Sequence, residues 1–247
     1  YYDKQNNALL FDEMIDALKH LAENTVVLLH GSCHNPTGCD PTLEQWKEIS
    51  ETMKKCNLIP FFDVAYQGLG RGLDEDAEAV RLFAKDGHEM LVAFSFSKSF
   101  GLYGERTGAL FVVAPSAQAA DHVASMTKRL IRSNYSNPPR HGALIVRTVL
   151  GSDDLKSAWI DQLGHMQVRM TEMRNLLADK LTEKIGVDYS FMKKRYGLFS
   201  YTGLQEESVK KLIENYAIYM PNSGRINITG LNHSNIDTVV DAIKAVI

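Results

Sequence analysis

No apolar run in this sequence approaches membrane-spanning length, so its pattern offers no transmembrane helix. Cysteine is scarce. Cys33, Cys39 and Cys56 make an odd count without paired metal-ligand spacing, which argues against a disulfide framework and implies a reducing compartment. Charge of either sign is not in excess: 27 Lys and Arg against 30 Asp and Glu leave a net −3, which removes the usual ground for a nucleic-acid or anionic-membrane partner. Internal repeats, low-complexity stretches and the charged-then-apolar start of a secretory signal are also missing. The first residues, Tyr1-Tyr2-Asp3, begin mid-pattern without a methionine, so a longer parent chain is expected. What remains is 247 residues, 45% hydrophobic and 23% charged, enough for a soluble globular protein with a sizeable core.

One stretch organises the rest, Ser95-Phe96-Ser97-Lys98-Ser99-Phe100-Gly101-Leu102-Tyr103-Gly104-Glu105-Arg106-Thr107-Gly108. Apolar runs at Leu91–Phe94 and Ala109–Val113 flank it, and both read as buried strands. A lysine at the end of a buried strand is costly unless paired or used, and the same desolvation makes its amine a nucleophile able to form a Schiff base. Serine hydroxyls and the Arg106 fork nearby suit a phosphate. Together they point to an aldehyde cofactor that carries a phosphate, pyridoxal phosphate (PLP). The same four residues, Ser95 to Lys98, also fit a Ser-x-x-Lys acyl-transfer site, and a lysine at a strand end is commonly just solvated.

Along the chain, strands alternate with helices. Phe11, Met14, Ile15, Leu18 and Leu21 recur at helical spacing; Thr25–His30 is an apolar strand; Asp40 is expected to cap a helix carrying Leu43, Trp46, Ile49 and Met53; Leu58–Phe62 is a second strand. An acid-rich helix over about Asp74 to Lys85 leads to the strand before Lys98. This order implies a mostly parallel sheet covered on both faces, with ligands bound beyond the carboxyl ends of its strands. His34 and Asn35, Asp63 and Tyr66, and Ser95 and Lys98 each follow such an end and are expected to converge. Helices over Ala117–Arg132 and His141 to about Leu181 come next, with Gly164 a candidate bend. Short strands at Tyr189–Phe191, Gly197–Thr202 and Gly224–Thr229, separated by helices, suggest a smaller α+β unit. The predicted division is 1–164 and 165–247.

Several polar groups carry two readings. Asp63 after an apolar strand is either a cap or salt-bridged strand end, or a carboxylate that keeps a pyridine nitrogen protonated. Tyr66 is either packing or a hydroxyl that reaches the same ring. Asn35-Pro36-Thr37-Gly38 is either a plain turn or a loop that aims Asn35 at a phenolate, with Asn35-Pro36 a candidate cis bond. His30 and His34 lack a third ligand at suitable spacing, so no metal is expected and both read as supporting hydrogen-bonding groups. Arg132 and Arg225 are single arginines in uncharged surroundings, solvated if apart and a dicarboxylate clamp if together.

With Asn35-Pro36-Thr37-Gly38, Asp63-x-Ala65-Tyr66, the Ser95–Gly108 stretch and Ser223-Gly224-Arg225-Ile226-Asn227 in this order, the chain resembles the aspartate aminotransferases, class I PLP enzymes of fold type I. The likeness runs from Tyr2 to Ile247, and Arg132 ahead of Tyr135-Ser136-Asn137-Pro138-Pro139 is similar to the aspartate-type subgroup. The resemblance implies an α/β fold, a large PLP-binding domain plus a small C-terminal α+β domain, and transfer of an amino group from aspartate to 2-oxoglutarate. It implies that Lys98 holds the cofactor as a Schiff base and then moves the Cα proton, that Asp63 pairs with the pyridine nitrogen, and that Asn35 and Tyr66 bond the ring oxygen. Ser95, Arg106 and, less centrally, Ser97 would hold the phosphate. Arg225 would bind the substrate α-carboxylate beside Asn35 and Phe199, and Arg132 the side-chain carboxylate across a homodimer interface. His34 would support Asp63.

The resemblance also implies an N-terminal portion not present here, whose loss would leave apolar sheet surface uncovered. An aromatic amino acid aminotransferase and an inactive truncated fragment are the competing expectations. Acyl transfer would leave Asp63, Asn35, Tyr66 and Arg225 without roles. A cytoplasmic location is expected, with the mitochondrial matrix as the alternative.

Overall fold

The computed structural model describes residues 2–247. A short antiparallel pair, β1 (Tyr2–Asp3) and β2 (Ala8–Leu9), precedes α1 (Phe11–Lys19). Then β3 (Val26–His30), α2 (Leu43–Lys55), β4 (Ile59–Val64), α3 (Glu78–Lys85), β5 (Met90–Ser95) and β6 (Gly108–Val113) follow, and the sheet order is β3-β4-β5-β6. The first three of these strands pair in parallel, with His30 opposite Asp63 and Asp63 opposite Ala93; β6 runs antiparallel to β5, with Ser95 opposite Gly108.

Side chains alternate across a strand, so Leu29, Phe62, Val64, Met90 and Val92 share one face, and they are buried with Ile15, Trp46, Met53 and Phe83 from the helices. Phe62 meets Trp46 and Phe83 at ring-centroid distances of 5.9 and 5.0 Å. The opposite face, with Leu28, Phe61, Leu91 and Leu110, stays open, and Leu28 is 60% and Leu110 54% exposed. Among the described residues the sheet is therefore covered on one face only, and β6, expected to be a buried strand, is an exposed antiparallel edge.

Beyond the sheet come α4 (Ala117–Asn134), α5 (His141–Leu150) and α6 (Asp153–Ile185). Ser152 caps α6 with acids Asp153 and Asp154 in its first turn, and Gly186 ends it at φ +79°, a left-handed conformation that glycine adopts without strain. α6 runs unbroken for 33 residues through Gly164, because one Gly costs only about 1 kcal/mol and buried Leu163, Met170, Met173, Leu177 and Leu181 hold the helix. The last elements are β7 (Phe199–Tyr201), α7 (Glu206–Tyr216), β8 (Arg225–Asn227) and α8 (Ile236–Val246), with β7 and β8 antiparallel. Tyr189–Phe191 does not form a strand. Ser190–Lys194 is a 3₁₀ turn started where Asp188 accepts the Ser190 amide.

Asp40 does not cap α2. Thr42 does, in a reciprocal box in which Thr42 Oγ1 accepts from Gln45 N (3.2 Å) and Gln45 Oε1 accepts from Thr42 N (2.9 Å).

Candidate active site

The parallel strands end side by side, which brings their following loops together. After β3 the chain turns through a cis Asn35-Pro36 bond. There Asn35 Nδ2 donates to Tyr66 Oη (3.3 Å) and Asn35 Oδ1 accepts from Arg225 Nη1 (2.8 Å). Tyr66, in the loop after β4, is buried, and the half-buried Lys98, in the loop after β5, places Nζ 5.2 Å from the Tyr66 ring centroid and 5.8 Å from that of Tyr103. Phe199 of β7 stands edge-on to Tyr66 (6.3 Å), and the Arg225 guanidinium lies 4.4 Å over the Phe199 ring. Five expected residues, Asn35, Tyr66, Lys98, Phe199 and Arg225, thus form one contact set drawn from both ends of the sequence.

Asp63 sits at mid-sheet between His30 and Ala93 and is half-buried. Burial lowers the His30 imidazole and the Asp63 charge opposes that, while burial raises the Tyr66 phenol, the Asn35 hydrogen bond lowers it and Asp63 raises it further. His30 Nδ1 lies 3.2 Å from the Asn35 amide, which donates to it, and its ring sits 4.6 Å from that of His34, tilted by 42°. His34 Nδ1 meets Thr37 Oγ1 at 2.7 Å, and burial, with the neighbouring His30, holds its pKa down at about 4. The two histidines therefore brace the Asn35 loop from below.

The Lys98 loop is fastened at several points. Ser97 N donates to Ser95 Oγ (3.2 Å), and Ser97 and Ser99 are buried. Trp159 of α6 donates from Nε1 to Ser99 O (2.7 Å) and stacks on Phe100 at 4.6 Å.

Arg106 and Arg132 point elsewhere, each bonded locally on the surface. Arg106, at φ +52° on the exposed loop, donates to Tyr103 O (3.0 Å), and Arg132, exposed near the end of α4, donates to Ser136 Oγ (2.6 Å).

Sequence reasoning missed Asp40, Asp76, Tyr103 and Trp159. Asp40 Oδ2 accepts from Cys33 N (2.6 Å) and Oδ1 from His34 N (2.8 Å); Asp76 accepts from Gly68 N, Gly70 N and Arg71 N, each at 2.9 Å. Burial pushes the Asp40 carboxyl up to about 6 and raises that of Asp76, against the pull of these amides. Their signal in the sequence, an Asp before Pro41 and one in an acid-rich run, is indistinguishable from a helix cap or a solvated face. Among the described residues no cluster of His, Cys, Asp and Glu could hold a metal ion, and no helix is long and apolar enough to cross a membrane.

The donor set fits PLP: an amine, a carboxylate at mid-sheet, an amide–phenol pair and serine hydroxyls lie at the ends of adjacent strands.

Comparison with known proteins agrees. Residues 1–243 match the family of class I and II aminotransferases. The chain is 46% identical to the aspartate aminotransferase of Escherichia coli K12, over all of this chain and 63% of that protein, and 42% identical to the aromatic-amino-acid aminotransferase of the same organism, over all of this chain and 62% of that protein. The crystal structure of an aromatic-amino-acid aminotransferase from Burkholderia pseudomallei, covalently bound to pyridoxal phosphate, superposes with a TM-score of 0.98 at 46% identity, covering 100% of this chain and 62% of that one. A mitochondrial aspartate aminotransferase from Trypanosoma brucei gives 0.96 at 40% identity, covering 100% and 65%. The chain therefore spans a little under two thirds of the length of these relatives. It has their fold type I architecture and belongs to the class I and II aminotransferase family.

Proposed function

We propose that this chain carries the lysine, ring-binding and carboxylate-binding parts of a PLP-dependent aspartate aminotransferase, which moves an amino group between aspartate and 2-oxoglutarate. The observation that carries the reading is the contact set in which Arg225, Asn35, Tyr66 and Lys98 meet across the strand ends. When bound, PLP supplies an aldehyde for amines and an electron sink for the bonds at the substrate Cα.

This chain's residues do the rest. Lys98 would provide the amine that holds the aldehyde and would be the group that moves the proton at the substrate Cα. Asp63 would pair with the ring nitrogen and keep it protonated. Tyr66 and Asn35 hydrogen-bond the ring oxygen, Ser95, Ser97 and Arg106 serve the phosphate, and Arg225 forks onto the α-carboxylate with Phe199 beneath it. Arg132 serves the side-chain carboxylate of a partner subunit's substrate. Exposed Met126, Leu130, Leu144 and Ile160 on α4, α5 and α6 support a homodimer, which sedimentation would detect. The division into a large unit (1–164) and a small one (165–247) is supported by two hydrophobic clusters, one under the sheet and one around the C-terminal half of α6 that also takes in Cys33, Tyr66, Leu69 and Leu163 of the large unit. Three free thiols favour a cytoplasmic setting.

The aromatic-donor reading is favoured by 42–46% identity to aromatic aminotransferases, close to the values for aspartate enzymes. Turnover of phenylalanine against aspartate separates the two. The central test is an absorption spectrum with added PLP before and after borohydride. A visible band that borohydride fixes to the protein, and that Lys98→Ala lacks, is expected. No band in the native chain would overturn the cofactor reading for these 247 residues and favour the inactive fragment.

A further inference from the structure

Two loops carry the Asn35–Tyr66 pair, and neither loop lies in a helix or strand. Each is gripped by one carboxylate. Asp40 spends both oxygens on consecutive amides, Cys33 and His34, directly before Asn35. Asp76, 1% exposed, spends both on Gly68, Gly70 and Arg71, directly after Tyr66. The two clamps adjoin. Cys33 Sγ approaches Tyr66 O at 3.9 Å, and a side chain on Gly70 would place its Cβ 2.6 Å from Asp76 Oδ1 and 2.7 Å from Cys33 Sγ, so only glycine fits between them. Gln167 of α6 closes the assembly by donating to Gly70 O (3.0 Å). A cavity of about 1500 Å³ beside the first loop is lined by Asp40, Arg71 and Arg195.

Buried carboxylates without a lysine or arginine in salt-bridge contact are expensive, and five charge-assisted amide bonds are what offsets that cost here. These loops contribute nothing to the core under the sheet; they pack Cys33, Tyr66 and Leu69 into the second cluster, with Leu163 and Met170 of α6. From this geometry we infer that Asp40 and Asp76 are positioning residues that set the Asn35–Tyr66 hydrogen bond by clamping the loops on either side of it. The inference rests on the proposed function only for its use in the reaction; the clamp itself exists in the cofactor-free chain.

Asp40→Asn and Asp76→Asn keep shape but turn one acceptor oxygen into a donor facing an amide. In the cofactor-free protein with labelled tyrosine, NMR titration of Tyr66 is expected to move up by about one pH unit in each variant, because the phenolate loses the Asn35 donor. Asp188→Asn, which alters an exposed carboxylate on the Ser190 amide, leaves it unchanged. Hydrogen exchange of the native chain gives a second reading that needs no variant: the Cys33, His34, Gly68, Gly70 and Arg71 amides are slowed at least tenfold relative to exposed-loop amides such as Gly104. Fast exchange at these five, or variants that lose thermal stability with Tyr66 titrating as in the native chain, would overturn the inference. In PLP-loaded protein, the pH at which the visible band changes colour rises in both variants. If the native chain shows no band, the functional reading fails while the exchange and Tyr66 readings still decide the clamp.

Discussion

Arg225 Nη1 donates to Asn35 Oδ1 at 2.8 Å across 190 residues of sequence, and the same asparagine donates to Tyr66. The arginine is thus held in place in the unliganded chain, its fork steadied by Asn35 on one edge and by the Phe199 face below. Preorganisation of this kind lowers the entropy lost when a carboxylate binds.

Arg225→Lys is expected to weaken binding of aspartate roughly 10- to 100-fold, since an ammonium cannot make the paired contacts of a guanidinium and one or two charged hydrogen bonds are lost. A spectral titration of the PLP-loaded protein measures this. Affinity within twofold of the native value would remove Arg225 from the carboxylate site.

Trp159→Phe keeps the stack on Phe100 and deletes the donor to Ser99 O. The expected cost is about 1 kcal/mol of stability, together with faster exchange of amides in the Lys98 loop. Denaturant unfolding and hydrogen exchange report the two effects separately.

His34 sets a pH dependence. Its folded pKa of about 4 lies below the ordinary 6.5, so the native state holds it neutral while the unfolded chain takes up a proton. The stability it contributes is complete above about pH 6.5 and drains away as pH falls towards 4. Asp40, raised to about 6, acts in the opposite sense: its contribution is complete below about pH 3.8 and is lost as pH rises through 6. The clean observable is the difference between the native chain and His34→Gln, whose stability gap should narrow on acidification; a gap independent of pH sinks the assignment.

Phe62 is fully buried between Trp46 and Phe83. Phe62→Ala is expected to cost about 3–5 kcal/mol, read as a lower denaturant midpoint.

Much of the fold could be read locally. The apolar runs at Val26–His30, Ile59–Val64 and Met90–Ser95 form parallel neighbours as their alternation with helices requires, and their ends deliver Asn35, Tyr66 and Lys98 to one place. Where local reading went astray, a long-range contact had overruled it. Asp40 before Pro41 looks like a cap, yet its carboxylate is taken by amides six and seven residues earlier, which leaves capping to Thr42. Ala109–Val113 has the apolar character of a buried strand, but burial depends on what lies across it, and nothing among the described residues covers Leu110.

By itself the sequence marked an amine, a carboxylate and a phenol placed after buried strands as candidates for chemistry, and its resemblance to the aspartate aminotransferases is what gave them roles. Only the tertiary structure decided which of them meet. It put Arg225 against Asn35 while leaving Arg106 and Arg132 on the surface, since convergence depends on sheet order and on the small β7–β8 pair folding back over the loops. It also decided that two acids with ordinary local surroundings became loop clamps, because a carboxylate's role is set by the amides that come within 3 Å of it in space and not by its neighbours in the chain.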